Sequence, residues 1–586
     1  MKRFVLLALG AWLLAMAAPS PRAQDKPGAT EAKAVDYLII AADGLQEAAR
    51  EWATHRQSHG RVTQVATLSE IARLAEREKV NLLDIKKFIK GVGGETPREG
   101  FQVLLLGDCP VVGRESYDPQ VEIPWFMSTY MDAFGRSAIP GDNWLADAVS
   151  GDNEIPDLAV GRVPARSLEQ ARLALKKVKA YESAKMGEWM RRLTFFAGEG
   201  RFGAAVDQLL ENLFTQMAEQ VIDPAYDLRM TYANVKSPYA YVPARFSDKV
   251  IEEANAGSLL LSYMGHGAVD RLDDMHVPQG EGKRELRYPI LTEADVSKFK
   301  IENGQLPVMI IVACATGFLD DKDGCISERI LFEEKAPVAV ISSSRDSHPY
   351  SNTLLQNALI SEITKQRRGT LGEAFLRAKR EIVLGEDSNR LKLENMAAFI
   401  IPKKEERDTL NRAHLYLYNL IGDPGLRLRY PNVKVGLPEK LAPMAAGESC
   451  TIDVSFEPVV PGAAAAGSGE ASKPRLLATL EVRRSRVHGD LVAFEAKDLA
   501  GSDAARRKEA EDAVSKNHAT ANQKVVSELP WESLGFGAAG LAGGKLTIKA
   551  DSGLAPGDYV VKLFALDSKG QSCGFASLRL RIKKKE

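Results

Sequence analysis

Pro307-Val-Met-Ile-Ile-Val-Ala-Cys-Ala-Thr-Gly317 is a short apolar run that delivers one cysteine and then breaks at glycine. Upstream, Ser258-Leu-Leu-Leu-Ser-Tyr-Met-Gly-His-Gly267 does the same with one histidine between two glycines. Runs this short and this rich in branched side chains predict strands buried on both faces, as in a parallel sheet covered by helices. The texture recurs at Tyr37-Leu-Ile-Ile40, Val103-Leu-Leu-Leu106, Leu158-Ala-Val160, Leu193-Thr-Phe-Phe196 and Val338-Ala-Val-Ile341. Helical patterns lie between the runs. Ser167-Leu-Glu-Gln170 has the capping-box spacing and opens a segment towards Tyr181, and residues 204–219 place apolar side chains three and four apart. Strands alternating with helices predict an α/β fold with mainly parallel sheets flanked by helices.

The chain has 586 residues, 45% of them apolar, with 77 basic and 78 acidic side chains. That length exceeds a single core, and the near-zero charge gives no electrostatic case for nucleic acid. Five cysteines are too few for a disulfide scaffold, and the odd number leaves at least one unpaired by intramolecular bridges.

Two basic residues, an apolar run from Phe4 to Ala18 and small residues after it predict a signal peptide over residues 1–23. The run is shorter than the ~20 residues of a bilayer crossing, so the mature protein is expected outside the cytoplasm, in the periplasm, at the cell surface or beyond it. Residues 24–34 read as a leader or linker. Two α/β units are expected at 35–190 and 191–430. From about Pro431 the pattern turns to alternating stretches such as Tyr559-Val-Val-Lys-Leu-Phe-Ala565, which predicts an immunoglobulin-like β-sandwich over 431–586. Two interruptions there, 458–473 and 501–529, read as loops or mobile insertions, and Cys450 and Cys573 are a conceivable disulfide.

In open α/β sheets, reactive groups gather beyond the carboxyl ends of strands. His266 and Cys314 both sit there, 314 − 266 = 48 residues apart, which is room for one crossover. A thiol is mostly protonated at neutral pH, and a neighbouring imidazole can take its proton to make the nucleophile. Glycine beside the histidine admits a substrate backbone, and the main-chain N–H groups of Gly267 and Cys314 could face a developing oxyanion.

These residues resemble the gingipain-type cysteine peptidases, a family of the caspase-like clan. Gly265-His266-Gly267 and Val312-Ala-Cys314-Ala-Thr-Gly317 are similar to the catalytic pair. Tyr37–Ile40 with Trp52-Ala-Thr-His-Arg-Gln-Ser-His-Gly60, Val103-Leu-Leu-Leu-Gly-Asp108, Ile155–Pro164, Thr370–Lys379 and Tyr418-Asn-Leu-Ile-Gly-Asp-Pro424 resemble other family elements in order. The resemblance covers about 35–430, and a trailing immunoglobulin-like domain also occurs in the family. It implies a secreted cysteine endopeptidase that acts on polypeptides, with His266 as general acid/base, Cys314 as nucleophile and backbone N–H groups of Gly267 and Cys314 as oxyanion hole. It further implies Glu199 as the carboxylate beside the imidazole. No cofactor is required for that chemistry; a structural calcium is allowed but not located. Envelope association is a further possibility of the resemblance, and no substrate-binding residue or metal ligand is assigned. Arginine-specific members carry an aspartate downstream of the glutamate; Asp207 is the nearest here, in poor register, so side-chain specificity is not transferred.

A silent or processing scaffold of the same fold, presented at the envelope, is the alternative. A second is nucleotide binding at Gly198-Glu-Gly-Arg-Phe-Gly203, which matches GxGxxG with Asp223 about 20 residues on. The acidic loops Asp270–Asp274 with His276, and Asp320-Asp-Lys-Asp-Gly324, read as solvated turns because the EF-hand spacing is incomplete. Ser342-Ser-Ser-Arg-Asp-Ser347 reads as a rim of the active-site cleft.

Overall fold

The apolar runs become strands of a single ten-stranded sheet in the computed structural model, which describes residues 34–201, 203, 215, 217–280, 282–385, 388–459, 475–533 and 543–584. In chain order the strands are β1 Tyr37–Ala41, β2 Thr63–Thr67, β3 Gln102–Leu106, β4 Ala159–Val163, β5 Arg192–Ala197, β6 Asp227–Tyr232, β7 Leu260–Met264, β8 Val308–Val312, β9 Ala339–Ser343 and β10 Tyr418–Ile421. Their order across the sheet is β2-β1-β3-β4-β10-β9-β8-β7-β5-β6. The two expected α/β units therefore contribute to one continuous sheet. Each half is parallel, and β10 is the seam: antiparallel to β9, with Ile341 opposite Leu420, and parallel to β4 through Ile421 and Arg162. Strands β1, β3, β8 and β9 are buried along their whole length, which is why they read as unbroken apolar runs. The predicted signal segment lies outside the described residues, as do most of the leader and most of 204–219.

The seam ends in Gly422-Asp-Pro424, where the buried Asp423 carboxylate collects hydrogen bonds from the far half of the sheet. Tyr37 Oη and Trp52 Nε1 donate to it at 2.5 Å each, and Arg56 at 2.6 and 3.1 Å. Arg56 in turn donates to Glu182 at 2.8 Å, on the helix Leu168–Ser183 whose Ser167 caps the Gln170 N–H.

Beyond the sheet, Val433–Gly436, Ser449–Pro458, Gly544–Lys549 and Trp531–Ser533 form a four-stranded sheet. Met444–Ala445, Arg475–Val482, Val525–Glu528, Gly557–Leu566 and Cys573–Lys583 form a five-stranded one. A separate apolar cluster that includes Leu480, Ile548 and Leu563 is buried within this region. The interruption at 501–529 is not a mobile loop. Ala504–Asn522 is a nineteen-residue helix, capped by the Asp503 carboxylate on the N–H groups of Ala505 and Arg506. It packs against β6, which explains its order. The interruption at 458–473 lies almost wholly outside the described residues.

The pairing of Cys450 with Cys573 is also corrected, since both thiols are unbridged. Cys450 stands opposite Ile548 in the four-stranded sheet, its Sγ 3.6 Å from Met444 Sδ, whereas Cys573 opens the last strand of the other sheet, opposite Leu566. Among the described residues no helix is long and apolar enough to cross a membrane.

Candidate active site

Strands β7 and β8 are parallel neighbours with Met264 opposite Val312, so His266 and Cys314, each two residues further on, leave the sheet side by side. The glycines are dictated by this closeness. A Cβ on Gly267 would lie 2.8 Å from the Cys314 carbonyl oxygen and equally close to Ala313 Cβ and Thr316 Cγ2. Beyond Cys314 the chain turns through Ala315 at φ +52°, a left-handed conformation that costs an L-residue about 1 kcal/mol and bends the cysteine out of the strand line. That turn is held by the Ala315 N–H donating to the Arg345 carbonyl at 3.1 Å and the Gly317 N–H to Ser343 at 2.8 Å.

His266 Nε2 lies 2.6 Å from the Gly200 carbonyl oxygen. A carbonyl only accepts, so Nε2 carries the proton and in the neutral ring the lone pair is on Nδ1. Glu199 stands in this same loop, half-buried, one residue before the carbonyl that fixes the ring. Behind the histidine, the buried Tyr263 hydroxyl donates to the His266 carbonyl at 2.8 Å and lies 3.4 Å from the Asp273 N–H, which donates to it. Burial, and then the Asp273 charge, push the Tyr263 phenol well above its ordinary range, so it stays a neutral donor.

Cys314 Sγ accepts the Ser347 N–H at 3.4 Å and lies 3.9 Å from the Ser347 hydroxyl. Burial pushes the thiol up; the Ser347 N–H opposes this and the Asp346 carboxylate adds to it. Ser347 is itself held, because its hydroxyl accepts Asn352 Nδ2 at 2.8 Å, and Asn352 Oδ1 accepts the Tyr418 hydroxyl of β10 at 2.7 Å. A cleft of about 830 Å³ opens over Cys314 and His266. Met230, Tyr232, Leu393 and Ile400 contribute apolar walls, while Arg484 and Lys524 reach it from the C-terminal region.

The sheet thus brings together His266, Gly267 and Cys314, with the Glu199 loop against the imidazole. Asp207 lies outside the described residues. The glycine-rich stretch at 198–203 supplies the carbonyl that holds His266, and Asp223 caps a local turn through the Ala225 N–H at 2.9 Å. The acidic loops are not plain solvated turns. Asp320 is buried in a two-pronged pair with Arg345 at 2.6 and 2.8 Å, and the guanidinium stacks 3.7 Å from the centre of the Phe318 ring. Asp273 is half-buried behind the 265–267 loop, its N–H on the Tyr263 hydroxyl that holds the His266 carbonyl. Sequence reasoning missed these two and also Ser347's contact with the thiol. Among the described residues one set of three donors, His55, His59 and Glu182, lies within 4.8 Å. Its nitrogen-rich donors suit zinc rather than calcium, and Glu182 is already held by Arg56 and the Arg427 N–H.

The model of peptidase family C25 matches residues 30–429, and the chain belongs to that family. It is accordingly a cysteine-type peptidase. No curated protein matches. Among solved structures, the Arg-specific cysteine proteinase gingipain R (RgpB) is 15% identical at TM-score 0.48, covering 94% of this chain and 99% of that one. The complex of Porphyromonas gingivalis RgpB pro- and mature domains is 15% identical at TM-score 0.47, covering 93% and 99%. Dimeric latent PorU from the same organism is 13% identical at TM-score 0.34, covering 95% of this chain and 55% of that one.

Proposed function

We propose that this chain is a secreted endopeptidase of gingipain type in which Cys314 is the nucleophile and His266 the general acid/base. The observation that carries the reading is the equal offset of the two residues from the Met264–Val312 register. As the thiol attacks a peptide carbonyl, its proton passes to His266 Nδ1 and the C–S bond forms. Negative charge gathers on the former carbonyl oxygen, beside the N–H groups of Gly267 and Cys314. Collapse breaks the C–N bond, and the imidazolium returns its proton to the leaving amine. Water, deprotonated by His266, then hydrolyses the thioester and restores the thiol. Glu199, in the loop that fixes Nε2, orients the ring.

In this reading residues 1–23 direct export, 35–190 and 191–430 form the two parts of the peptidase, and 431–586 form an immunoglobulin-like sandwich that walls the cleft. Replacing Cys314 with Ala is expected to abolish hydrolysis of a peptide library and to remove the iodoacetamide label at position 314, read by peptide mapping because Cys450 is also a free thiol, while leaving the fold intact. Undiminished hydrolysis by that variant would sink the assignment. A purified wild-type chain that neither cleaves peptides nor takes the label at Cys314 would favour a silent scaffold.

A further inference from the structure

Asp273 lies in the loop that follows His266, and its contacts tie it to the two loops that hold the imidazole. Its N–H reaches the Tyr263 hydroxyl at 3.4 Å, which holds the His266 carbonyl at 2.8 Å. Its carboxylate packs on Gly198, where an added Cβ would stand 3.0 Å from Oδ2 and 2.8 Å from the Tyr263 oxygen. Gly198 is two residues before the carbonyl that accepts His266 Nε2, and its N–H donates to Met264 O at 2.9 Å. Asp273 thus bridges the 198–200 loop and the 265–267 loop, between which the ring is held.

The two carboxylate oxygens differ. Oδ1 accepts the Asp274 N–H at 2.8 Å, whereas Oδ2 is shielded from solvent and has no hydrogen-bond partner among the described residues. An unsatisfied buried oxygen is costly, and such groups concentrate where charge has work to do. The groups that face it are His266, His276, Tyr263, Asp274 and Arg201. Arg201 is engaged 2.7 Å from Glu285, Asp274 is of the same sign, Tyr263 is neutral, and burial with the Arg201 charge pushes His276 down towards its neutral form, which leaves His266 as the imidazole whose charge changes in the proposed reaction.

We propose that Asp273 is a positioning residue for His266, holding its loop through Tyr263 and favouring the imidazolium formed when Cys314 gives up its proton. This rests on the assignment of His266 and Cys314 above and is separate from the role given to Glu199. Burial raises the Asp273 carboxyl from its ordinary value, the Asp274 N–H and the His266 charge opposing, so ionising it costs stability that the site retains for function.

The test compares wild type, Cys314→Ala, Asp273→Asn and Glu199→Gln across pH, measuring kcat/KM on a peptide substrate, the rate of Cys314 alkylation by iodoacetamide, and Tm. Asp273→Asn is expected to lower kcat by about 10- to 100-fold. The pH limb that reports the Cys314–His266 pair should move to lower pH in both hydrolysis and alkylation, while Tm at neutral pH stays equal or rises. A falling Tm with both limbs unmoved reduces Asp273 to a structural role and overturns the proposal. Should Asp273→Asn not fold, Tyr263→Phe removes only the hydroxyl relay; it is expected to lower kcat without moving the limb, and an unchanged kcat overturns the relay. If wild-type hydrolysis survives in Cys314→Ala, the catalytic assignment itself has failed, whatever Asp273 does.

Discussion

A single methyl group at Gly267 would sit 2.8 Å from three atoms of the Cys314 turn, two of them in Ala313 and Cys314. Since none is the far end of a flexible side chain, the loops must part. Gly267→Ala is therefore expected to cost about 1–3 kcal/mol of stability, read as a lower urea midpoint. It should also cut kcat by on the order of 100-fold, because displacement by an ångström misaligns the reacting pair. Cys314, His266 and their glycines were legible in the sequence because each ends an apolar run. Ser347 was legible as part of the cleft rim but not as a partner of the thiol, and the placement of Asp273 was not legible at all. Ser347 meets the thiol across 33 positions through a backbone N–H that any residue carries, and Asp273 looked like one acid of a polar loop. The unexpected left-handed Ala315 has no local signature either, since alanine is the least informative residue for a turn.

Edge strands pose a different problem, because their backbone groups invite pairing with other chains. Strand β6 is at one edge of the large sheet, and the helix Ala504–Asn522 covers it. Asn522 acts as a substitute strand residue: its Oδ1 accepts the Met230 N–H at 2.8 Å and its Nδ2 donates to the Met230 carbonyl at 2.9 Å. His518, one turn earlier, lies 3.1 Å from the Thr231 hydroxyl. Asn522→Ala is expected to strand both Met230 groups and cost about 1–3 kcal/mol, measurable by chemical denaturation, with faster amide exchange confined to β6. The central strands were readable as apolar runs, but β2 and β6 were not, because partly exposed strands carry mixed residues such as Thr63-Gln-Val-Ala-Thr67. The helix was mistaken for an insertion because its charged, alanine-rich residues lack an apolar stripe. That composition is nonetheless strongly helix-forming, and Asp503 before it was an available start signal.

Across the molecule, the Asp423 carboxylate ties the seam strand to Tyr37, Trp52 and Arg56, which belong to the opening strand and first long helix. Asp423→Asn leaves Arg56 with Glu182 as its remaining carboxylate partner and turns the Tyr37, Trp52 and Arg56 donors onto a neutral amide. A loss of about 1.5–3 kcal/mol follows from weakening these charge-assisted hydrogen bonds, and a drop in Tm should report it. The α/β class and the family were legible from strand and motif order. The strand sequence across the sheet was not: Tyr418–Pro424 stood out only as a family-like marker, and nothing local says that its strand is inserted between β4 and β9, 259 and 79 residues before its first residue by their own starts at 159 and 339.

That late insertion gives the molecule a clock. A chain growing from its amino terminus has nine strands of the sheet in hand before residue 418 exists. Contacts this distant in sequence form slowly, after the local ones. The same strand brings the Tyr418 hydroxyl that steadies Asn352 and, through it, the Ser347 group on the sulfur. If Cys314 is the nucleophile as proposed, the strand that completes the scaffold also supplies the hydroxyl that steadies its surroundings, and a chain stopped short of residue 418 is expected to take label at Cys314 no faster than an unfolded one.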